Sequence, residues 1–506
     1  MKKVFILILL LCSTLVLSSC GLLFPIPSGS NTTTNNQTTT TVENKTLTID
    51  KTININSQSI DHVNFVEIND THGQLISGQD SEMGMSEVGG LISYLEESDG
   101  LPYIRVCNGD LLQGSYVSRL TYGKCMIESM NILGFHMMVI GNHEFDWVLD
   151  TIKIYWDGDP LNGEANFPLV CCNLIDSRIN GRPDWVKPYV VFEYGDIKVG
   201  IIGAIGGALE STVADTSITT YSFDILDPYV TKYSKELREG GCDIVCLSVH
   251  DYGTSYKTYA KLKDESRIDA IFFGHTHESV DGYYTREGDG YKIPYVQSYT
   301  KNMNIGTIKL NINENKEPIS GIIGHYNKSY FNHYVKTTIR ELDDLIEENY
   351  QSIIDNGSKV LMEIDPNLYT TKEKTASFSL DILIEKYNCD LGFVNTGGVR
   401  TNLKGVLELT INDIFEVFPF DNKVCILEMK GDKVIDYFSR QTGMCYNTEF
   451  VLSMIDKTKT YKIFGIDYVC NKNNKAISNY CVNNTFEALE DIMRDSLIEA
   501  LESKQS

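Results

Sequence analysis

Side chains that bind metal ions are concentrated in five short segments of the chain. Each segment directly follows a run of apolar residues that predicts a buried β-strand. Aspartate, histidine and asparagine together suit zinc, manganese or iron, and one carboxylate can bridge two ions. Two ions about 4 Å apart activate a water and hold the oxygens of a phosphoryl group. The segments are NDTHG (Asp70, His72), NGD (Asp110), GNHEFD (Asn142, His143, Asp146), SVHD (His250) and GHTH (His275, His277).

Each segment alone also has a structural explanation. A histidine at a strand end is often a fold element, an asparagine after glycine is common in turns, and GHTH could place two imidazoles on the surface. The five segments together favour a metal site, because α/β folds bring the carboxyl ends of their strands to one edge of the sheet. All nine histidines lie at or before His333, so imidazole chemistry belongs to the first part of the chain.

His143 and Asp146 suggest a second role within GNHEFD. A carboxylate three residues after an imidazole can orient it and keep it cationic. A cationic His143 would stabilise charge on phosphorus or protonate a leaving alkoxide. The neighbouring Glu144 and Phe145 are interpreted as fold elements.

The segments NDTHGQL, NGDLLQG, GNHEFD, GHTH and the later NTGGVR resemble the calcineurin-like metallophosphoesterases, and more narrowly the secreted bacterial 5′-nucleotidase / UDP-sugar hydrolase family. The resemblance extends from about residue 62 to the end. It implies two divalent metal ions, with zinc, manganese, iron and magnesium left open. It implies His143 and Asp146 as the catalytic dyad. The implied ligands are Asp70, His72, Asp110 and His277 for one ion, and Asp110, Asn142, His250 and His275 for the other.

The resemblance also implies substrate-binding residues in the last part of the chain. Asn395 and Arg400 in NTGGVR match positions that bind the substrate, and a bidentate arginine suits phosphate. Phe420 in FPFDN matches an aromatic residue that stacks on a nucleobase. The alternatives are a surface arginine after a glycine turn and a phenylalanine of the core.

Two departures from the family pattern concern the substrate. The family usually has a further phosphate-binding arginine in a region where this chain has only Lys372 and Lys374. Its Gly-Gly-Asp-Gly segment, with a second stacking aromatic residue, is replaced by DYVCNKNNKAIS, in which Tyr468 is a candidate substitute.

Strands that alternate with helical patterns predict an α/β (α+β) fold. The resemblance implies a four-layer α/β/β/α metallophosphatase domain over residues 61–328 and an α/β substrate-binding domain over 357–506. The helical spacing of the apolar residues between them predicts a connector helix over 329–356. FEALEDIMRDSLIEAL near the end is predicted to be helical, and Gly195–Asp196 is the turn of a hairpin that makes the sheet mixed. The predicted strands are Val63–Ile68, Tyr103–Cys107, Met137–Ile140, Leu169–Cys172, Ile197–Ile202, Ile244–Val249, Ala270–Phe273 and Tyr295–Gln297.

The N-terminus has the features of a secretion signal. Lys2 and Lys3 precede the apolar run Val4–Leu17, and LSSC resembles a bacterial lipobox over a signal of residues 1–20. The prediction is a lipid on Cys20 as the only membrane contact, with ordinary cleavage as the alternative. Residues 21–60, rich in Thr, Asn and Ser, are predicted to be a disordered tether, so the protein would be extracytoplasmic and lipid-anchored to the bacterial cell membrane.

The composition limits the partners. With 506 residues, 42% of them hydrophobic and 22% charged, the chain is expected to form at least two globular domains. A net charge of −24 argues against a nucleic-acid polymer as partner. The chain has 13 cysteines, of which Cys12 and Cys20 lie in the signal; the 13 − 2 = 11 that remain are an odd number and form no CxxC pair, which argues against a disulfide framework or a structural zinc site. The oligomeric state stays open.

The resemblance implies hydrolysis of nucleoside 5′-monophosphates, and the predicted secretion signal places it outside the membrane. The alternative within enzymes is a phosphodiesterase or pyrophosphatase that acts on cyclic nucleotides, nucleotide sugars or dinucleotides. The alternative from another class is a surface lipoprotein that binds without turnover.

Overall fold

The structure is a computed structural model that describes residues 52–55, 61–78, 81–213, 219–252, 256–472 and 477–504. The predicted signal, Cys20 and most of the predicted tether lie outside these residues. Within the described residues, no helix has the length and apolarity needed to cross a membrane.

The strands of the described residues are numbered in chain order. They are β1 (Ile53–Ile55), β2 (His62–Ile68), β3 (Ile104–Cys107), β4 (Met137–Val139), β5 (Leu169–Val170), β6 (Leu174–Asp176), β7 (Val186–Lys187), β8 (Tyr189–Tyr194), β9 (Ile197–Ile205), β10 (Tyr221–Phe223), β11 (Ile244–His250), β12 (Ala270–Gly274), β13 (Val280–Thr285), β14 (Lys292–Gln297), β15 (Asn304–Ile312), β16 (Pro318–Asn327), β17 (Val360–Glu363), β18 (Leu391–Asn395), β19 (Glu408–Thr410), β20 (Lys423–Lys430), β21 (Met444–Tyr446), β22 (Thr460–Ile466) and β23 (Glu487–Ile492).

The α-helices of the described residues are numbered in the same way. They are α1 (Met85–Asp99), α2 (Tyr116–Leu120), α3 (Lys124–Ile132), α4 (Leu149–Ile152), α5 (Leu226–Glu239), α6 (Lys328–Tyr330), α7 (Arg340–Asn349), α8 (Gln351–Gly357), α9 (Lys372–Tyr387), α10 (Ile411–Val417), α11 (Gly431–Phe438), α12 (Asp467–Lys472) and α13 (Met493–Ser503).

Two seven-stranded mixed sheets form the first part of the molecule. Their orders are β16-β15-β2-β3-β4-β5-β7 and β1-β8-β9-β11-β12-β14-β13. The inner faces pack together, for example through Phe65 and Phe272, whose ring centroids are 5.5 Å apart. Helices α1 and α3 cover the outer face of the first sheet, and α5 covers that of the second. The predicted α/β/β/α order of layers is confirmed.

The five predicted metal-binding segments lie at the ends of parallel strands in these two sheets. Strands β2, β3 and β4 run parallel and next to each other in the first sheet, and β11 and β12 do so in the second. All eight predicted strands overlap observed ones. They were detectable because buried parallel strands are almost continuously apolar.

The last part of the chain contains a five-stranded sheet in the order β21-β18-β22-β20-β23 with its own apolar core. The prediction of a continuous C-terminal helix was wrong for its first half. Residues Glu487–Ile492 form β23, which pairs antiparallel with β20, and the helix begins at Met493. β23 is a charged edge strand, and helical periodicity does not distinguish such a strand from an exposed helical turn.

Two other boundaries differ from the predictions. Ile53–Ile55 lies in the predicted tether but forms β1, which pairs in parallel with Phe192–Tyr194 and buries Ile55. A single connector helix was expected, but α7 ends at Asn349 and α8 follows after Tyr350.

The described cysteines support their interpretation as small hydrophobic side chains. All eleven are free thiols, ten of them buried and Cys389 half-buried. The described part of the chain therefore contains no disulfide framework.

Candidate metal centre and substrate cleft

Five of the predicted metal ligands have a left-handed backbone. A non-glycine residue adopts positive φ at a cost of about 1–2 kcal/mol, and such strain persists where the surrounding structure enforces it. The chain turns sharply at these residues, just past the ends of the strands. The φ values are 48° for Asp70, 50° for His72, 53° for Asp110, 94° for His275 and 58° for His277.

Backbone hydrogen bonds hold the first two loops together. The N–H of Asp70 donates to the carbonyl of Gly109 at 3.0 Å, and the N–H of His72 donates to the carbonyl of Asp110 at 3.0 Å. The pairing of β2 with β3 thus continues into the loops, and it fixes the two aspartates relative to each other.

The ligand atoms form two groups that share Asp110. In the first group, Asp70, His72, Asp110 and His277 have ligand atoms within 4.8 Å of one another. The Nε2 atoms of His72 and His277 are 3.0 Å apart, and Nε2 of His277 is 3.5 Å from Oδ1 of Asp70. The structure therefore brings together all four residues predicted for one ion.

The second group consists of Asp110, His250 and His275, also within 4.8 Å of one another. Nε2 of His250 is 3.1 Å from Oδ2 of Asp110. Oδ1 of Asn142 is 3.2 Å from Nε2 of His250 and 2.9 Å from Nδ1 of His275. All four residues predicted for the other ion therefore also meet.

Neighbouring carbonyls orient two of the imidazoles. Nδ1 of His72 is 3.0 Å from the carbonyl oxygen of Gln113, and Nδ1 of His250 is 2.8 Å from that of Asn108. A ring that donates from Nδ1 presents Nε2 to the cluster. Metal-binding histidines usually donate their other ring N–H to a carbonyl or a carboxylate in this way.

The cluster has the charge and the unsatisfied atoms expected of a cation site. Oδ1 of Asp70 and Oδ2 of Asp110 are buried and have no hydrogen-bond partner among the described residues. Burial lowers the pKa of His250, but the carboxylates of Asp110 and Asp70 outweigh it and raise the pKa to about 10. Burial and the neighbouring histidines hold the pKa of His72 well below its ordinary value, which favours the neutral ring that binds a metal. These residues fit divalent ions.

The predicted dyad lies beside this cluster. His143 begins a short 3₁₀ turn after β4, and its Nδ1 donates to Oδ2 of Asp146 at 2.8 Å. Its backbone N–H donates to Oδ1 of Asp110 at 2.8 Å. Burial lowers the pKa of His143, but the carboxylates of Asp146 and Asp110 outweigh burial, so the pKa lies above its ordinary value.

Glu144 holds the loop that carries Asp110. Its buried carboxylate accepts backbone N–H bonds from Gly141 at 2.8 Å, Asp110 at 2.9 Å, Leu111 at 2.9 Å and Leu112 at 3.3 Å. Glu144 was predicted to be a fold element. In the structure its carboxylate links the loop after β3 to the loop after β4. No signal in the sequence indicates which loop it holds.

The residues predicted to bind substrate line the same cleft as the metal cluster. The cleft has a volume of about 1470 Å³, and Asn395, Arg400 and Phe420 line it together with His72 and His143. The rings of Phe420 and His143 are stacked, with centroids 5.6 Å apart and planes at 22°. The guanidinium carbon of Arg400 is 5.9 Å from the centroid of Phe420. Phe420 is therefore a wall of the cleft rather than a residue of the core.

Lys372 lies in the cleft near Arg400, whereas Lys374 does not line it. Burial and the nearby Arg400 lower the pKa of Lys372. Neither Lys372 nor Arg400 forms a salt bridge with a carboxylate among the described residues, although the chain has a net charge of −24. Tyr468, at the start of α12, also lines the cleft.

Comparisons with known proteins identify two domain families in the chain. Residues 63–279 match the family model of the calcineurin-like phosphoesterases, and residues 358–493 match that of the 5′-nucleotidase C-terminal domain.

The chain is similar to two curated bacterial proteins. Endonuclease YhcR from Bacillus subtilis is 26% identical over 418 residues, which are 77% of this chain and 33% of that protein. A 5′-nucleotidase from Vibrio cholerae is 25% identical over 423 residues, 73% of this chain and 74% of that protein. The chain thus spans about a third of the first relative and about three quarters of the second.

The fold has a match among solved structures. The crystal structure of a 5′-nucleotidase precursor from Thermus thermophilus superposes with a TM-score of 0.69 at 17% identity. The superposition covers 88% of this chain and 96% of that one, so the likeness includes both the sheet pair and the C-terminal part.

The stabilising effect of the hydrogen bonds that Glu144 accepts can be tested. We expect Glu144→Gln to lower the free energy of unfolding by about 2–4 kcal/mol, because the amide accepts fewer bonds and each buried donor left without an acceptor costs about 1–3 kcal/mol. Urea denaturation monitored by circular dichroism measures this change. Glu97→Gln, on the exposed face of α1, is the control. Equal stability of the two variants would contradict the role of Glu144 in linking the two loops.

Proposed function

The chain belongs to the family that joins a calcineurin-like phosphoesterase domain to a 5′-nucleotidase C-terminal domain, and from that premise we propose that it hydrolyses nucleoside 5′-monophosphates to nucleoside and phosphate. The observation that carries the proposal is the pair of ligand groups that share Asp110 beside the His143–Asp146 dyad. Two divalent ions held there would activate a water and hold the oxygens of the phosphoryl group.

His143 supports departure of the leaving group. Its Nδ1–H is bound to Asp146, so Nε2 is the nitrogen that can meet the substrate. The carboxylate of Asp146 favours the imidazolium, which can donate the Nε2 proton to the leaving oxygen as the P–O bond breaks. The positive charge also stabilises the negative charge that develops on the phosphoryl group.

Cations from the C-terminal domain hold the anionic substrate. Arg400 can bind phosphate oxygens through two parallel hydrogen bonds, and Asn395 has a buried Oδ1 without a hydrogen-bond partner in the described part of the chain. Lys372 supplies a second positive charge close to Arg400. We assign it the role of the arginine that family members usually carry in this region. Phe420 offers an aromatic face to the nucleobase, with Tyr468 as the candidate for a second contact.

Hydrolysis of phosphodiesters or pyrophosphates is the second candidate function. The cleft volume of about 1470 Å³ exceeds the roughly 300–1,000 Å³ typical of small-molecule pockets, so substrates larger than a mononucleotide can enter. The similarity to a Bacillus endonuclease points in the same direction. The net charge of −24 argues against a polymer and favours small diesters. A binding protein without turnover is less well supported, because the ligand series and the dyad are complete.

We further propose that the enzyme acts outside the cell membrane, anchored by a lipid on Cys20. The support is the order of a basic start, an apolar run and LSSC, followed by a polar tether. An anchored hydrolase of this kind would convert charged nucleotides, which do not cross a bilayer, into neutral nucleosides.

Removal of the shared carboxylate tests the metal centre. We expect Asp110→Asn to reduce hydrolysis at least about 100-fold, because an amide cannot bridge and charge-balance two ions. Metal content by mass spectrometry should fall in parallel. Asp344→Asn, on the exposed connector, is the matched control and should retain both properties. Full activity of Asp110→Asn would disprove the shared ligand.

Removal of the His143 imidazole tests its proposed role as the general acid. We expect His143→Ala to reduce kcat about 10²–10⁴-fold, the usual contribution of a positioned acid, while metal content stays that of the wild type. The exposed His333→Ala should behave as the wild type. Loss of a metal ion from His143→Ala would contradict the assigned role.

A substrate comparison decides between the two candidate functions. Phosphate release should be fastest with AMP, slower with UDP-glucose and slowest with 2′,3′-cyclic AMP, with a coupled phosphatase added for the last two. Each substrate should be tested with zinc, manganese and magnesium. Rapid diester turnover beside negligible AMP turnover would replace the first candidate with the second.

A further inference from the structure

A buried arginine fixes the loop that carries Phe420. The side chain of Arg494, on α13, is 2% exposed, and its guanidinium carbon lies 3.9 Å from the ring centroid of Phe415. Its Nη1 donates to the carbonyls of Pro419 at 3.0 Å and Phe418 at 3.4 Å, and its Nη2 donates to Oδ1 of Asp421 at 2.7 Å. One guanidinium thus spans the loop from Phe418 to Asp421.

Asp421 also binds the domain that carries the metal cluster. Arg119 on α2 donates from Nε to Oδ1 of Asp421 at 3.1 Å and from Nη2 to Oδ2. Burial raises the pKa of Asp421, but Arg119 and Arg494 outweigh burial and keep the carboxyl charged. Neutralising the carboxylate would leave a buried and a partly buried guanidinium facing each other, which is strongly unfavourable.

The first domain holds the same loop at a second point. The Nε2–H of Gln113 donates to the carbonyl of Pro419 at 2.9 Å. Gln113 and Arg119 both belong to the segment that begins at Asp110 and continues through α2. The segment that supplies the shared carboxylate therefore also docks the Phe420 loop.

Phe420 is the residue between these two anchors, and its ring stacks on that of His143. The side chain of His143 is only 8% exposed. Asp146 holds the imidazole edge through Nδ1, and Phe420 covers one face of the ring. The dyad histidine is thus held by one residue from each domain.

We propose that Phe420 and Asp421 are positioning residues for His143: the Arg119–Asp421–Arg494 triad holds the loop so that Phe420 keeps the imidazole aligned with the leaving oxygen. The proposal rests on the hydrolase function proposed above and assigns part of the catalytic geometry to the C-terminal domain. A shift of about 1 Å in a catalytic group can cost 100-fold in rate, so a loosened loop would weaken proton donation without emptying the metal site.

The leaving group provides a readout that is specific to this role. When the P–O bond breaks, its electron pair stays on the leaving oxygen, which then accepts the proton of His143. p-Nitrophenolate leaves readily without a proton, whereas phenolate is more basic and depends more on the acid. Neither carries a nucleobase, so the ratio of the two rates reports on His143 and not on base stacking.

The experiment compares kcat for phenyl phosphate and p-nitrophenyl phosphate in the full chain loaded with metal. We expect Asp421→Asn to lower kcat about tenfold or more for phenyl phosphate and less than about threefold for p-nitrophenyl phosphate. His143→Ala should show the same preference more strongly, and Phe420→Leu should resemble Asp421→Asn. Arg119→Gln, which leaves the Arg494–Asp421 pair in place, gives a second test if Asp421→Asn does not fold.

Glu416→Gln is the matched control. It removes one carboxylate from another ion pair between the domains, Lys301–Glu416 at 2.9 Å, which does not involve the Phe420 loop. The ratio of its kcat for phenyl phosphate to its kcat for p-nitrophenyl phosphate should equal that of the wild type.

Three outcomes would overturn the inference. Equal losses on both aryl phosphates would make the triad a stability element only. A raised KM for AMP with unchanged aryl phosphate rates would assign Phe420 to the nucleobase alone. A wild-type protein that hydrolyses neither aryl phosphate nor AMP with any metal would overturn the proposed function itself.

Discussion

The burial of the Asp110 carboxylate between two groups of histidines is the constraint on which the rest of the structure depends. A buried carboxylate is expensive unless hydrogen bonds or cations surround it. Asp110 receives one hydrogen bond from the backbone of His143, and its other oxygen faces His250 and has no hydrogen-bond partner among the described residues. The carboxyl groups of Asp70 and Glu144 lie close by, and burial together with the charge of Asp110 raises the pKa of Glu144 to about 7. The fold has to hold like charges together until cations bind, and several of its features serve that purpose.

The architecture meets this requirement with two sheets rather than one. A single sheet edge would place the ligands in a row, whereas two packed sheets bring loops from both sides to one point. Three loops come from β2, β3 and β4, and two come from β11 and β12. The left-handed residues in these loops cost about 1–2 kcal/mol each. Five of them together approach the 5–15 kcal/mol net stability of an ordinary protein, so binding of ions is expected to contribute to the stability of the fold as well as to catalysis.

The sequence was sufficient to predict the strands and the candidate ligands wherever a ligand stands at the end of an apolar strand. Each ligand directly follows an apolar strand, so local patterns located both the strands and the residues at their ends. The edge strands β1 and β23 were missed because they are short, partly exposed and defined by pairing with distant residues. Glu144 was predicted to be a fold element, but the loop that it holds could not be predicted. Its partners are backbone N–H groups, three of them more than thirty residues away, and backbone atoms carry no signature in a sequence.

The contacts that join the two domains could not be derived from the sequence. Arg119, Asp421 and Arg494 are ordinary charged residues, separated by 302 and 73 positions along the chain. Only the fold shows that one carboxylate joins two buried or partly buried guanidinium groups. This arrangement has a physical consequence for the site. The segment that begins at Asp110 contains the predicted shared ligand and also contacts the Phe420 loop through Gln113 and Arg119. The proposed metal site and the contacts with the Phe420 loop therefore share one short segment, and residues of both domains line the cleft.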